Sequence, residues 1–220
     1  MIKKAIILCG GTGSRMFPST KTTNKQLLPV YDKPMFYYPL SLLMLIGIKN
    51  FLFIISKGQK ENFLKSIGSS NDLGINIQFK EQNKPNGLPE AFILGEEFIG
   101  KDSVLMILGD NFFYGNMLSP IIKKTLSIKS GANIYLYPSK NTSAYGVVEL
   151  KKNGKINKII EKPIFTKSNL VITGMYIFDN KVIEYAKKLK PSKRNELEMV
   201  DLINIYNKKK KLNLVKLGRG

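Results

Sequence analysis

The sequence predicts an α/β fold with a mixed, mostly parallel central sheet. Three observations carry that prediction. Short unbroken aliphatic runs alternate with amphipathic segments through the first half of the chain. Turn-forming residues bound each run, as expected for buried strands of a sheet covered on both faces. The second half changes texture, with closely spaced strands joined by tight turns and then two helices. At 220 residues, 43% hydrophobic and 23% charged, the chain can bury a substantial core and is not a disordered polymer.

Taken in order, Ala5 to Cys9 is a continuous apolar strand that opens into Gly10-Gly11-Thr12-Gly13-Ser14-Arg15. Met35 to Ile46 reads as a helix with Tyr38, Leu42 and Leu45 on one face. Phe51 to Ile55 is a second buried strand, Glu61 to Ile67 a helix and Ile75 to Phe79 a third strand. A Pro/Asn/Gly loop leads to a helix from Leu88 to Phe98, and Val104 to Leu108 is a fourth strand running into Gly109-Asp110-Asn111. Asn133 to Tyr137, Gly146 to Leu150, Ile156 to Glu161 and Val171 to Phe178 are the later strands, with a turn at Lys151-Lys152-Asn153-Gly154. Helices at Asn180 to Leu189 and Leu197 to Tyr206 precede a last strand at Leu212 to Leu217. With no internal repeat, low-complexity tract or linker, residues 1–220 read as one domain.

Composition excludes several chemistries. The single cysteine, Cys9, rules out an internal disulfide framework and a multi-cysteine zinc site. The absence of histidine removes Ser-His-Asp and Cys-His catalysis and any imidazole base. No apolar stretch approaches a membrane span, and the N-terminal run is too short for a signal peptide, so a cytoplasmic protein without membrane insertion is expected. The net charge of +19 invites a nucleic-acid reading, but only Arg15, Arg194 and Arg219 among the 35 basic residues are arginines. Scattered lysines alongside abundant Ile and Asn describe a solvated surface better than bidentate base readout, so no specific nucleic-acid partner is expected. The run Lys208 to Lys211 fits a helix C-terminus, where cations are favoured beside free carbonyls.

Three segments can carry chemistry. The glycine loop lets successive amides turn towards one anion, with Arg15, Lys21 and Lys25 close by in sequence. It is not a P-loop, which needs Gly-Lys-Ser/Thr, and Met16 stands where the dinucleotide fingerprint needs its third glycine. From the glycines alone, a phosphate cradle and an ordinary strand-to-helix turn are equal readings. Asp110 follows an aliphatic strand, where ligands gather in open α/β sheets, and suits Mg²⁺; Gly-Asp-Asn is equally good turn chemistry, and only the glycine loop tips the balance to the metal. Glu161-Lys162-Pro163 ends another strand and offers a carboxylate for hydroxyls beside a cation for phosphate, or simply a strand terminus closed by proline.

Together these segments carry a resemblance. Gly10-Gly11-Thr12-Gly13-Ser14-Arg15-Met16-Phe17-Pro18 followed by Lys25-Gln26-Leu27-Leu28-Pro29-Val30-Tyr31-Asp32-Lys33-Pro34 resembles the signature of the sugar-1-phosphate nucleotidyltransferases. The likeness runs from Ile2 to Gly220. Met35-Phe36-Tyr37-Tyr38-Pro39-Leu40, Gly109 to Gly115 and Tyr145-Gly146-Val147-Val148-Glu149 place it nearest the thymidylyl-transferring branch, with UTP-using relatives as the alternative.

The resemblance implies a three-layer Rossmann-like domain of the nucleotide-diphospho-sugar transferase type, with dTTP and glucose 1-phosphate as substrates and Mg²⁺ as cofactor. It implies that Leu8, Gly10, Gly11, Thr12, Gly13, Arg15, Lys25 and Gln26 hold the nucleotide, with Gln82, Pro85 and Gly87 at the pyrimidine and Asp110 on the metal. Tyr145, Gly146, Glu161 and Ile172 would hold glucose and Lys162 its phosphate, with Arg15, Lys25 and Lys162 carrying catalysis. Ser14, Cys9 and Ile172 depart conservatively from the usual Thr, Ala and Val. A homo-oligomer is expected.

The family also carries a second metal-binding aspartate and C-terminal helices after its Gly-Arg-Gly, whereas Gly218-Arg219-Gly220 ends this chain. The expectation from that ending is a C-terminally truncated domain that binds nucleotide with little turnover.

Overall fold

The computed structural model describes residues 1–11, 13–70 and 72–218. The first half runs β1 (Lys4–Cys9), two 3₁₀ turns (Ser14–Met16 and Lys25–Leu27), a small hairpin of β2 (Pro29–Val30) and β3 (Lys33–Pro34), α1 (Tyr37–Leu45), β4 (Asn50–Ser56), α2 (Lys60–Ile67), β5 (Asn76–Gln82), α3 (Glu90–Leu94), α4 (Glu96–Ile99) and β6 (Val104–Leu108). The second half runs α5 (Leu118–Thr125), β7 (Ala132–Pro138), β8 (Gly146–Leu150), β9 (Ile156–Glu161), β10 (Leu170–Phe178), α6 (Lys181–Lys187), α7 (Met199–Lys208) and β11 (Leu212–Lys216).

Seven strands form the main path in the order β11-β7-β10-β6-β1-β4-β5. β1 is parallel to β4 and β6, β4 to β5, and β11 to β7, while β10 runs antiparallel between β6 and β7. The sheet is therefore mixed and mostly parallel. Strand alternation divides the core into two layers. Ile6, Leu8, Val104 and Met106 pack on one face with Phe92 of α3, Val182 of α6 and Leu202 of α7. Ala5, Ile7, Leu105 and Ile107 pack on the other with Leu40 of α1, Phe63 of α2 and Ile122 of α5. Helices cover both faces, giving three layers.

β10 decides where a site can form. It pairs with β6 over Met175 to Phe178 only, so its first residues extend past the carboxyl end of β6. There β8 takes over the pairing, at Val171 opposite Val147, and β9 adds to β8. The β8–β9 hairpin thus stands over the carboxyl ends of β1 and β6, where ligands collect in open α/β sheets. A buried carboxylate fixes α7 to this frame: Asp179 accepts from Tyr206 at 2.7 Å and from the Gly131 N–H at 2.6 Å.

Several expectations need correction. Leu45 does not share a buried face with Tyr38 and Leu42; it is 65% exposed, because α1 turns Phe36, Leu40 and Leu43 inward instead. The helix expected from Leu88 to Phe98 starts at Glu90 and is broken at Gly95 into α3 and α4. A Cβ at Gly95 would lie 3.1 Å from Ile6 and Leu52 side-chain atoms, so the break lets this segment press against β1 and β4. The last helix spans Met199–Lys208, where Leu197 to Tyr206 was expected, with Glu198 as its first boundary residue. Sequence reading missed α5, whose Pro120 reads as a breaker but sits in the first turn, where its absent N–H costs nothing. Cys9 is fully buried, as a small hydrophobe should be, and burial followed by the Asp110 charge pushes its thiol pKa up. Among the described residues no helix is long and apolar enough to cross a membrane.

Candidate active site

A cleft of about 490 Å³ lies over the carboxyl ends of β1 and β6, between the glycine loop and the β8–β9 hairpin. Leu8, Gly10, Gly11, Lys25, Gln82, Pro85, Gly87, Asp110, Tyr145, Gly146, Glu161, Lys162 and Ile172 all line it. Gly13 and Gln26 line an adjoining hollow of about 250 Å³ that shares Gly10, Gly11, Lys25 and Asp110 with the cleft. Thr12 lies outside the described residues, as does the Arg15 side chain.

The phosphate end is built from three short returns of chain. Gly11 and Gly13 have φ of 106° and 62°, a conformation that side chains strain to adopt. Thr20 closes the loop by donating to the Gly13 carbonyl at 2.9 Å. Asn24 anchors the turn that carries Lys25: its side chain accepts from the Gln26 N–H at 2.9 Å and donates to the Cys9 carbonyl at 3.1 Å. Lys25 Nζ then meets Asp110 Oδ2 at 2.6 Å, each side chain about a quarter exposed (26% and 25%). Asn111 flanks the same loop; with its amide nitrogen turned towards Asp110 it donates to Oδ1 at 3.3 Å and accepts from the Gly174 N–H at 3.0 Å. Gln26 is buried beneath, donating weakly to the Gly10 carbonyl at 3.5 Å, with Oε1 lacking any described partner.

The base end is fixed by one acid. Glu90 accepts from the Gln82 amide and, at 2.8 Å, from the Asn86 amide. The Gln82 oxygen consequently turns towards Gly10, where a Cβ would lie 2.6 Å from it. Gly87 has φ of 105° and packs against the Leu197 backbone, and the Leu197 N–H donates to the Asn86 carbonyl at 2.7 Å.

The sugar end is charged. Gly146 of β8 sits opposite Glu161 of β9, and the Lys162 N–H donates to the Tyr145 carbonyl at 3.0 Å. A side chain at Gly146 would crowd its neighbours, since a Cβ would lie 2.7 Å from Val200 and 3.1 Å from Ile172 side-chain atoms. Burial, then the Glu198 charge, pushes the Glu161 carboxyl above its ordinary range, against the pull of Lys162 and Arg194. Arg194, Glu198, Asn111, Thr173 and Tyr176 line the cleft but were absent from the sequence-based set. Arg194 had a signal in sequence, being one of three arginines among 35 basic residues. Asn111 and Thr173 directly follow Asp110 and Ile172 in sequence, whereas Glu198 and Tyr176 reach the cleft only through the fold.

The donor set accommodates one type of metal. Among the described residues there is no cluster of three or more acids or other metal-ligating side chains. Asp110 borders both hollows at the phosphate end and offers one carboxylate. That fits Mg²⁺, which takes most of its ligands from phosphate and water, and does not fit an all-protein cage.

Comparison with known proteins agrees with this geometry. The family described as nucleotidyl transferase matches residues 4–220. A glucose-1-phosphate thymidylyltransferase of Neisseria meningitidis is 47% identical over 217 residues, covering 99% of this chain and 75% of that protein. One from Mycobacterium tuberculosis is 44% identical with the same coverage of 99% and 75%. Among solved structures, a Bacillus anthracis chain provisionally described as a glucose-1-phosphate thymidylyltransferase, in complex with sucrose, is 38% identical with a TM-score of 0.89, covering 98% of this chain and 87% of that one. A UDP-glucose pyrophosphorylase bound to UDP-glucose is 26% identical with a TM-score of 0.84, covering 98% and 90%.

Proposed function

The chain belongs to the nucleotidyl transferase family, and from that premise we propose that it transfers a thymidylyl group from dTTP to glucose 1-phosphate. The products are dTDP-glucose and pyrophosphate. The observation that carries this reading is a single cleft with a glycine loop and Lys25–Asp110 pair at its centre, an amide-bearing pocket at one end and a Glu161–Lys162 hairpin at the other. We read residues 1–220 as one nucleotidyltransferase domain.

Each part has a chemical task in that reading. The acceptor phosphate is a monoester with a second pKa of about 6, so at neutral pH it is mostly a dianion and needs no general base. One of its oxygens attacks the α-phosphorus; the new O–P bond forms as the bond to the β-phosphate oxygen breaks, and pyrophosphate leaves. The obstacle is the approach of two anions. Lys25 would exchange Asp110 for the triphosphate and stabilise the charge that develops on the leaving group, with Arg15 beside it. Gly10, Gly11, Thr12 and Gly13 would cradle the phosphates through backbone N–H groups. Mg²⁺ on Asp110, once bound, would neutralise phosphate charge. Leu8, Gln26, Pro85 and Gly87 would shape the nucleotide pocket, and the Gln82 amide matches the imide edge of thymine. Tyr145, Gly146, Glu161 and Ile172 would receive glucose, with Lys162 on its phosphate.

The UDP-glucose pyrophosphorylase likeness supports a second reading, in which UTP is the donor. Pyrophosphate release with Mg²⁺, glucose 1-phosphate and each nucleoside triphosphate tests both. The expected order is dTTP above UTP, with one methyl worth roughly 1–3 kcal/mol, and both far above ATP and GTP. Efficient turnover of a purine triphosphate defeats the base assignment, and no sugar-dependent release with any donor defeats the function.

A further inference from the structure

The base end of the cleft depends on an acid that stands behind it. Gln82 is the last residue of β5 and only 7% exposed, and its carbonyl accepts from the Lys57 N–H at 3.2 Å, so the backbone under the amide is fixed. The two ends of a primary amide have nearly the same shape, and the polarity of their neighbours decides which end faces where. Half-buried Glu90, in the first turn of α3, supplies that polarity. One of its carboxylate oxygens accepts from Gln82 Nε2 and the other, at 2.8 Å, from Asn86 Nδ2. The Glu90 N–H donates to the Gly87 carbonyl at 3.3 Å. Gln82 and Gly87 both line the cleft, and Glu90 holds the two from outside it.

We propose that Glu90 is a positioning residue that locks the Gln82 amide with its oxygen towards the base, so that the site takes a pyrimidine carrying an N3–H and turns cytosine away. The inference rests on the reading of the cleft as a nucleotidyl-transfer site. A carboxylate offers acceptors only, so it admits the NH₂ end of Gln82 and excludes the oxygen. The oxygen is left facing Gly10 at the edge of the cleft, where a Cβ would lie 2.6 Å from it. No hydrogen bond among the described residues uses that oxygen, which therefore calls for a donor from the ligand. Thymine and uracil supply one at N3–H, and the second Gln82 N–H can meet O4. Cytosine has a bare N3 and an amino group in those places, so acceptor would face acceptor and donor would face donor. Turned over, the same amide would fit cytosine. Glu90 prevents the turn.

The test measures kcat/KM of the full chain for dTTP, UTP and dCTP, with Mg²⁺ and glucose 1-phosphate, in the wild type, Glu90→Gln, Gln82→Ala and the double variant. The wild type should prefer dTTP to dCTP by at least about a hundredfold. Glu90→Gln keeps the shape but can offer either amide end to Gln82, so the dTTP to dCTP ratio should fall about tenfold. The dTTP to UTP ratio should stay constant, because both bases carry the imide, and KM for glucose 1-phosphate should not move. Adding Glu90→Gln to Gln82→Ala should change the dTTP to dCTP ratio no further, since Glu90 acts through Gln82. A wild-type preference under tenfold, an unchanged dTTP to dCTP ratio in Glu90→Gln, or multiplying effects in the double variant each overturns the proposal. If Glu90→Gln does not fold, Glu90→Ala, which also frees the amide, is read by the same criteria. If the wild-type chain releases no pyrophosphate with any donor, the functional reading fails. The same ratios are then read from calorimetric affinities for dTDP, UDP and dCDP, and a wild type that binds dTDP no more tightly than dCDP overturns the role of Glu90 as well.

Discussion

The two ends of the cleft are built on different physics. The nucleotide end is shaped by backbone: positive-φ glycines at Gly11, Gly13 and Gly87, and a Gln82 amide pinned by one acid, with the Lys25–Asp110 pair as its described ion pair. The sugar end is shaped by side-chain charge: Glu161, Lys162, Arg194 and Glu198 lie within one network, with Asp201 adding to the field around Glu161. The difference matches the ligands assigned to them. A triphosphate is met well by N–H groups and fixed cations. A sugar with many hydroxyls needs a carboxylate acceptor, and burying that acceptor requires nearby cations to offset its desolvation.

Substitutions at the two ends should therefore fail in different ways. The largest effect is expected for Lys25→Ala, which removes a charge used as the leaving group departs. A fall in kcat of about 10²–10³ is expected in steady-state assays, with a smaller change in KM for dTTP. Lys162→Ala should leave kcat closer to wild type and raise KM for glucose 1-phosphate by about tenfold. Equal effects of the two variants on both parameters would erase the division between the ends.

A pair of glycine substitutions probes the same contrast through stability. Gly87→Ala adds a Cβ at φ 105° that runs into the Leu197 backbone, which cannot move aside cheaply. A loss of about 1–2 kcal/mol, or roughly 2–8 °C in Tm for a chain of this size, is expected by calorimetry. Gly146→Ala meets only the ends of the Val200 and Ile172 side chains, so Tm should fall less while KM for glucose 1-phosphate rises. A larger Tm loss at Gly146 than at Gly87 would reverse the assignment of backbone and side-chain control.

The smallest effect tests the charged end through pH. Burial raises the folded-state pKa of Glu161 above its unfolded value, so the unfolded chain gives up this proton more readily. Ionised Glu161 therefore disfavours folding at neutral pH, and the penalty is relieved as pH falls through the raised pKa. Glu161→Gln should accordingly show a small rise in Tm at pH 7 that disappears in acid, while kcat/KM for glucose 1-phosphate drops. In the wild type, that kcat/KM should begin to fall at a higher pH than an ordinary carboxylate would give. A Tm decrease for Glu161→Gln at pH 7 would contradict a net penalty at this site.

By itself the sequence determined the layers and the phosphate end. Unbroken aliphatic runs such as Ala5 to Cys9 and Val104 to Leu108, short and bounded by turn residues, read as strands buried on both faces, and in the parallel pair they form the following loops, carrying Gly10, Gly11 and Asp110, emerge at one edge of the sheet. Local chemistry suffices there because each functional residue lies within a few positions of a strand end. It did not suffice for α1, whose apolar residues surround the helix, so that only packing shows Leu45 to be exposed and Leu43 buried. Tertiary structure alone decided the charge network around Glu161 at the sugar end. Glu161 and Glu198 are 37 positions apart, and what joins them through Arg194 is the antiparallel insertion of β10 and the docking of α7. A carboxylate in sequence carries no mark of how deeply it will be buried or which cation will meet it. Those depend on strand order, and strand order is settled by the packing of the whole sheet.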